Sequence, residues 1–329
     1  MASDSSNFLT LMDLRATLMP DGSPVSSYAE LLAKENDILD DIPWTAGNQL
    51  TGDMHFKRTG MPSAQMRRIN QGFDSSKGSK EAVVDTCVEI VSRMTVDMKE
   101  LDLAPSPEQY LLSESQPHIH AMNEEFLNHL MYGSDPESIR GIATRMNKLS
   151  HAQVVDAGGK GNNLSSIYII KWDSNEVTGI YPKNTKAGLE VITKTNELVP
   201  DKDGKTFLAH VTLWSWWVGL KVRDERYMAR LCNIDRDALL ADGETAKEAR
   251  QDLFRKLILA QDKIYHVNQG RVVMYADPAI FSILKIAALE KTNMALGYSD
   301  IREDRRILSF MGIPIKKNDC QSVAEKKVS

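Results

Sequence analysis

The first 45 residues of the chain show no sustained hydrophobic period. Pro, Asp and Ser are frequent there, and only residues 27–34 (SYAELLAK) have the spacing of a short amphipathic helix, about two turns long. Such a segment has little apolar surface with which to build a core. The pattern therefore predicts an extended arm over residues 1–45, either disordered or laid along another surface.

Residues 46–80 predict a long hairpin without a core of its own. The stretches 49–58 and 64–71 can each be extended, and the Gly-Met-Pro sequence at 60–62 supplies a turn between them. An isolated two-stranded hairpin is marginal in water. We therefore expect this hairpin either to lie on a partner or to remain a mobile, solvated loop.

The following segment predicts the structural spine of the molecule. Residues 81–104 alternate between Val or Ile and polar residues, as a pair of half-buried strands would. A long helix of about 20 residues is predicted after Pro105 and Pro107, with a capping box formed by Ser113 and Gln116 at its start and a C-terminal stop at Gly133. The apolar residues that share one face of this helix are Ile119, Met122, Phe126 and Leu130.

Strand patterns dominate the second half of the chain. Apolar runs at 167–172 and 271–275 predict buried strands, and residues 207–233 form an unusually long extended segment. Capping signals at Thr245 and Asp277 predict two further helices. The mixture of helices and strands indicates an α+β fold.

Charge changes the interpretation of the hairpin. The chain of 329 residues has a net charge of −5, which argues against a dedicated nucleic-acid-binding protein. Residues 51–80 contain six basic and two acidic residues, a net charge of +4. A basic ribbon on an acidic body indicates docking onto the acidic surface of another copy of the chain.

The cysteines and the apolar runs bear on the cellular compartment. Cys87, Cys232 and Cys320 are far apart and form no CxxC pair, so we interpret them as reduced thiols in a cytoplasm. The N-terminal sequence does not resemble a secretory signal, and no apolar run approaches the ~20 residues that a membrane span requires. We therefore expect no contact with a membrane.

Motifs for catalysis or ligand binding are incomplete in this sequence. The triplet GKT at 204–206 lacks the earlier glycine of a phosphate-binding loop, since position 199 is Val. The glycine-rich stretch at 158–161 lacks the third glycine and the helix of a dinucleotide-binding loop. The histidines of the long helix lack the i, i+4 spacing of a zinc site. We expect no catalytic site, no cofactor and no metal.

Two residue clusters leave alternative interpretations open. Trp214, Trp216 and Trp217 can stack on nucleic-acid bases, but their few basic neighbours favour a packed core or a subunit contact. The run RDER at 223–226, on a predicted strand, carries charges that are either solvated or paired across an interface. The candidate intersubunit contacts are Lys57, Arg58, Arg67, Arg68, Arg223, Asp224, Glu225 and Arg226.

Three runs of sequence carry a resemblance to a known family. They are DIPWTAGNQLTGDMHFKRTGMPSAQMRRINQG, YLLSESQPHIHAMNEEFLNHLMYG and GIYPKNTKAGLE. Together they resemble the major capsid proteins of a group of short-tailed bacteriophages, which have the Hong Kong 97-like fold. The resemblance spans roughly residues 10–315.

The resemblance implies a structural subunit, not an enzyme, that self-assembles into the icosahedral head shell around the phage genome. Implied partners are copies of itself in pentamers and hexamers, a separate scaffold, cement or decoration proteins, the portal protein, and packaged double-stranded DNA by non-specific proximity. Assembly in the host cytoplasm would place the protein in the virion. The alternative function is a phage-encoded nucleic-acid-binding protein that uses the basic hairpin.

The resemblance also implies a domain organisation. An N-terminal arm lies along a neighbouring subunit, an extended loop reaches across an adjacent one, and a peripheral domain with a spine helix (107–132) accompanies an axial domain. The predicted segments are the arm (1–45), the extended loop (46–80), the peripheral domain (81–150), the first axial part (151–211), a long peripheral strand (212–234), the second axial part (235–315) and a frayed polar tail (316–329).

The order of two of these segments predicts a rearranged connectivity. LKVRDERYMARL resembles the peripheral strand that ends the chain in the reference fold. GRVVMYADPAIFSILKIAAL resembles an axial strand and helix that normally precede it. Here the order is reversed, which predicts the same architecture threaded differently.

Overall fold

The computed structural model describes residues 37–58, 60–135, 137–185, 187–241, 243–267, 270–289, 296–302, 305–322 and 324–329. The strands are β1 (Trp44–Ala46), β2 (Gly52–Arg58), β3 (Lys80–Asp97), β4 (Val154–Asp156), β5 (Leu164–Trp172), β6 (Val177–Tyr181), β7 (Leu189–Pro200), β8 (Thr206–Val222), β9 (Met228–Asp235), β10 (Arg271–Ala276), β11 (Leu296–Arg302), β12 (Arg305–Phe310) and β13 (Ile313–Lys317). The helices are α1 (Met98–Leu103), α2 (Pro107–Tyr132), α3 (Ile142–Arg145), α4 (Arg236–Leu240), α5 (Glu244–Asp262) and α6 (Pro278–Leu289).

A six-stranded sheet is built around β8. Its strand order is β1-β6-β8-β3-β2, and β7 also pairs with β8. One edge of β8 pairs antiparallel with β3, and the other pairs with β6 and β7. The buried side chains of this sheet pack against α2, and the rings of Phe126 and Trp216 lie 4.9 Å apart between centroids. This packing forms the first hydrophobic core.

A seven-stranded sheet of order β11-β12-β13-β10-β5-β9-β4 carries the second core. All nine residues of β5 are buried. Alternate residues point to opposite faces, so Ile167 and Ile169 pack in the second core with α5 and α6, whereas Tyr168 and Ile170 join the first core. Both faces of β5 are therefore covered, which explains why residues 167–170 are all apolar and do not alternate with polar residues.

The long helix is confirmed, and it begins at Pro107, as the family resemblance implies, and not at the capping signal of Ser113. Helix α2 has 26 residues, Ser106 is its N-cap and Pro107 occupies its first turn. Proline is favoured there because its missing N–H has no helical partner in any case. The capping box predicted at Ser113 is therefore wrong, and Pro117 lies inside the helix.

The predicted pair of strands over 81–104 is a single strand. β3 extends over 18 residues, and Asp97 then caps the short helix α1 by accepting a hydrogen bond from the Lys99 N–H at 2.8 Å. The alternating pattern is the same for one long strand and for two short ones, since no turn residue is required between them.

The predicted hairpin is displaced along the chain. β2 pairs antiparallel with β3, from Gly52 opposite Thr86 to Arg58 opposite Lys80. Beyond β2 the two arms of the loop remain in contact, since the Gly60 N–H donates to the Ser79 carbonyl at 3.3 Å. The chain reverses at 68–71, where the Gln71 N–H donates to the Arg68 carbonyl. The turn predicted at 60–62 is therefore wrong. Residues 60–79 are called the extended loop below.

The single strand predicted over 212–234 is also wrong. β8 ends at Val222 in the six-stranded sheet, and β9 begins at Met228 in the seven-stranded sheet. Asp224 caps the intervening 3-10 turn by accepting a hydrogen bond from the Arg226 N–H at 2.9 Å. Residues 223–226 are predicted as part of a strand, but Asp224 initiates a turn, as Asp often does.

The end of the predicted arm packs on its own chain. Residues 1–36, with the short helix predicted at 27–34, lie outside the described residues. Beyond them Ile38, Leu39 and Ile42 are buried, and β1 pairs parallel with β6. The fully buried Asp41 carboxylate accepts a hydrogen bond from the Tyr275 hydroxyl at 2.7 Å. The arm prediction is therefore wrong for residues 37–45, because these apolar side chains belong to the first core.

The C-terminal segment is docked and not frayed. Residues 313–317 form β13, and the N–H of Glu325 donates to the carbonyl of Leu164 in β5 at 2.7 Å. Gln321 and Val328 are buried. The prediction of a frayed tail over 316–329 is therefore wrong, because the polar residues of this segment are partners of buried groups in the body.

Candidate assembly surfaces

The extended loop presents apolar side chains directly to solvent. Every residue from 61 to 77 is exposed. Met66, Ile69 and Phe73 show 104%, 93% and 69% of their surface. The guanidinium of Arg67 lies 5.8 Å from the centre of the Phe73 ring, so the two arms meet through a cation–π contact. The extended loop therefore exposes three large apolar side chains within a basic segment.

The basic candidates divide between the loop and its base. Arg67 and Arg68 are exposed near the tip. The backbone of Arg58 ends β2 opposite Lys80. Lys57, one residue earlier, has its ammonium nitrogen 2.8 Å from Oε1 of Glu225. The structure thus brings together two residues that sequence reasoning had assigned separately to subunit contacts.

The run 223–226 lies at the crossover between the two sheets. Nη2 of Arg226 is 2.6 Å from Oδ2 of Asp224, and the Arg226 guanidinium lies 4.8 Å from the ring centre of Tyr265. Burial alone would raise the pKa of Asp224, but the hydrogen bonds and charge of Arg226 outweigh it and lower that pKa. Arg223 is exposed. These charges are mainly paired within the turn, which leaves Arg223 as its most available cation.

Glu225 is held from two sides. Oε1 meets Lys57, and Oε2 lies 3.1 Å from Nε2 of His151. Burial would raise the pKa of Glu225, but the hydrogen bonds from Lys57 and His151 lower it. The carboxylate is therefore ionised at neutral pH and ties the base of the extended loop to the crossover.

The outer side of the spine helix is acidic. Residues 107–132 contain no Lys or Arg. The exposed acidic side chains on this helix are Glu108, Glu114, Glu124 and Glu125. Glu125 Oε1 lies 3.0 Å from Nε2 of His129. This surface is complementary in charge to the extended loop.

Sequence reasoning missed a buried polar clasp formed by Glu325. Its carboxylate lies 2.8 Å from Nη2 of Arg230, with both side chains about 5% exposed. It also accepts hydrogen bonds from the hydroxyls of Tyr132 at 2.8 Å and Tyr168 at 3.0 Å, and from Ser166. The only sequence signal was a lone arginine inside the apolar strand β9, which requires a buried partner. The clasp ties the C-terminal segment to α2, β5 and β9.

The tryptophan cluster is part of the first core. Trp214 and Trp216 are 0% and 1% exposed, so they are not available for base stacking. Trp214 stacks on His118, at 5.4 Å between ring centroids. The packed-core interpretation is therefore confirmed for these two residues.

The motifs set aside from the sequence are turns and loops. Gly204 and Lys205 of the GKT triplet lie in the turn between β7 and β8, where Gly204 has φ +80° and the Asp201 N–H donates to the Lys205 carbonyl at 2.7 Å. Within the described ranges, no group of three or more His, Cys, Asp or Glu side chains is placed to hold a metal ion. None of the described helices is long and apolar enough to cross a membrane.

Comparison with known proteins decides the family. The sequence model of the family described as "Major capsid protein GP7" matches residues 20–329. The chain belongs to this family. No curated protein matches it. Among solved structures, the fold is similar to a chain of bacteriophage Epsilon15, with 25% identity, a TM-score of 0.61 and 97% of each chain covered. It is also similar to the capsid of bacteriophage JBD30, with 10% identity, a TM-score of 0.51, and 87% and 90% of the two chains covered.

Family membership confirms three predictions. The major capsid protein has the α+β, Hong Kong 97-like capsid fold and is a structural subunit that forms the icosahedral head shell of a phage. Its location is therefore the virion capsid. The comparisons give no support to the nucleic-acid-binding alternative.

Proposed function

We propose that the extended loop of one subunit docks onto the acidic outer side of the spine helix of a neighbouring subunit. The observation that carries the proposal is the exposure of all residues from 61 to 77, including three large apolar side chains. This segment is basic in an acidic chain, and α2 offers carboxylates without any Lys or Arg. Arg67, Arg68 and Arg223 are the proposed intersubunit cations. Lys57, Asp224, Glu225 and Arg226 act mainly inside the chain.

Docking of this kind supports closed rings. A loop that meets a different surface on the next copy is a heterologous contact, and such contacts close by rotation into pentamers and hexamers. Each loop contact is weak alone, but several contacts on one body raise the effective concentration of the others. Rings of subunits then complete the shell.

We assign the two sheets to the domains expected from the family. The six-stranded sheet with α2 is the proposed peripheral domain, and the seven-stranded sheet with α5 and α6 is the proposed axial domain. The rearranged connectivity is retained for residues 212–222 only. Its support is that this part of β8 pairs with β3 beside the spine helix, ahead of β10 and α6 in the chain.

The remaining roles follow from the shell itself. The subunit acts without enzymatic activity, with a separate scaffold and with cement or decoration proteins. The portal protein occupies one vertex, and packaged double-stranded DNA is a non-specific neighbour. A net charge of −5 suits a wall that DNA must not adhere to. Assembly takes place in the host cytoplasm, where the cysteines stay reduced.

Charge reversal tests the docking proposal. The double variant Arg67→Glu, Arg68→Glu should lower the yield of closed shells, measured by sedimentation and electron microscopy. The matched control is Lys202→Glu, Lys205→Glu, which makes the same charge change in the exposed β7–β8 turn. Adding Glu114→Lys and Glu124→Lys to the loop variant should recover shells. Normal assembly of the loop variant would refute the docking proposal.

A further inference from the structure

One face of β2 contacts residues 221–225, which are the end of β8 and the start of the crossover to β9. The residues on this face alternate along the strand: Asp53, His55 and Lys57. The residues of the opposite face that flank His55, Met54 and Phe56, are 40% and 57% exposed. The strand therefore has one polar, attached face and one solvent-facing side.

Each of these alternate residues meets its own partner among residues 221–225. Oδ2 of Asp53 lies 2.8 Å from Nζ of Lys221. Nε2 of His55 lies 3.1 Å from the carbonyl oxygen of Val222, and the Lys57 ammonium meets Glu225. The three contacts run in order along both segments and form a ladder.

The position of β2 gives this ladder a mechanical role. β2 is the end strand in the order of its sheet and pairs there only with β3 among the described strands. A two-stranded ribbon on its own twists strongly and bends easily. The ladder adds a second line of attachment, through one face of β2, to the strand pairing with β3. It stops at Lys57, one residue before β2 ends and the extended loop begins.

Its partner segment is the connection between the two sheets. Residues 223–227 carry the chain from β8 to β9, and Oε2 of Glu225 also meets His151, which precedes β4. We propose that this ladder is a joint that sets the angle at which the extended loop leaves the body and couples it to the crossover between the sheets. The inference deepens the proposed docking function, since the loop being aimed is the one that docks.

A distance measurement on full-length, unassembled subunits tests the joint. Spin labels at Ser75→Cys in the loop and Ser113→Cys on α2 report the loop angle, because both positions are exposed. Cys320→Ser removes the partly exposed native thiol, and Cys87 and Cys232 are buried. Pulsed electron resonance then gives the distribution of label-to-label distances.

We expect a narrow distribution of label-to-label distances in the labelled subunit without further substitutions. In Lys57→Ala and in Glu225→Gln this distribution should be broader or displaced. The charge swap Lys57→Glu, Glu225→Lys should narrow it again. The matched control Phe56→Ala changes the exposed face of the same strand and should leave the distribution unchanged. These variants alter partly exposed side chains, so folding is retained and is checked by the unfolding temperature.

An unchanged distribution in both Lys57→Ala and Glu225→Gln would overturn the joint. That outcome is distinct from failure of the docking proposal, which is read from shell yield in the loop-tip variants. A joint can exist in subunits whose loops dock elsewhere, and a docked loop can exist without a joint. The two measurements therefore separate the two inferences.

Discussion

Nζ of Lys57 lies 2.8 Å from Oε1 of Glu225. Two residues that the sequence predicts as contacts with neighbouring subunits therefore pair within one chain. The pair is partly exposed, at 35% and 20%, and such pairs contribute little to stability on their own. Its consequence is positional, because it connects the strand that leads into the extended loop with the crossover between the sheets. Attachment at the root leaves the loop tip available for a neighbour.

Loss of the Glu325 clasp should destabilise the subunit strongly. Glu325→Ala leaves the buried Arg230 guanidinium without its carboxylate, which costs about 3–5 kcal/mol in the free energy of unfolding. Urea unfolding of the unassembled subunit measures this change. Lys326→Ala, an exposed neighbour, should change the same quantity by less than about 0.5 kcal/mol. Equal changes in the unfolding free energy of the two variants would show that the contacts of Glu325 do not stabilise the subunit.

His55 should make the subunit less stable in mild acid. Burial is the largest influence and lowers the pKa of His55 below 6.5, although Asp85 and Asp53 oppose this and Lys221 adds to it. Asp85 is itself held by Arg145, with Nη2 2.6 Å from Oδ1. The folded chain thus favours neutral histidine, so this part of the stability is complete above pH 6.5 and is lost as the pH falls below it.

The unfolding free energy measured from neutral to mildly acidic pH tests this dependence. His55→Gln keeps a donor for the Val222 carbonyl and should flatten the acid side of the curve. Burial also lowers the pKa of His210, so His210→Gln is the comparison that gives its separate share. A wild-type curve with the same slope as that of His55→Gln would contradict the prediction.

Gly52 should not tolerate a side chain. A Cβ atom at this position would lie 2.1 Å from the carbonyl oxygen of Asp85, which is backbone and cannot turn away. Gly52→Ala should therefore separate β2 from β3 and increase proteolysis of the extended loop. Gly72→Ala is the control, because a Cβ there meets nothing within 4 Å. Equal protease sensitivity in the two variants would argue against close packing at Gly52.

Thiol reactivity should distinguish the three cysteines. Burial raises the pKa of Cys87 to about 12 and that of Cys232 to about 11, so both remain protonated and covered at neutral pH. A thiol reagent should modify Cys320 in the native subunit and all three cysteines only after denaturation. Rapid modification of Cys87 in the native state would show that the root of the loop opens.

The sequence predicted the elements whose signal is local. Helix α2 has apolar residues at helical spacing and Gly133 after its end, and both the helix and its C-terminal stop are confirmed. Local chemistry determines such features, so they require no knowledge of the tertiary structure.

The errors share a different cause, which is dependence on distant partners. The break after Val222 exists because two sheets compete for one extended segment, and alternation along the chain cannot show that. The polar residues Gln321 and Glu325 predict a frayed C-terminal segment. Their partners, however, lie in β5 and β9, which are distant from them in the sequence. The charges of the candidate site were found, but not which of them pair within one subunit.

A three-dimensional reconstruction of purified particles by electron cryomicroscopy would show both whether the subunits form a shell and where the extended loop lies. We expect closed icosahedral shells in which density for residues 60–79 of one subunit lies against α2 of another. A protein that remains a small oligomer when scaffold and salt are varied would contradict the shell-forming role. Shells whose loops contact only their own subunit would contradict the docking proposal.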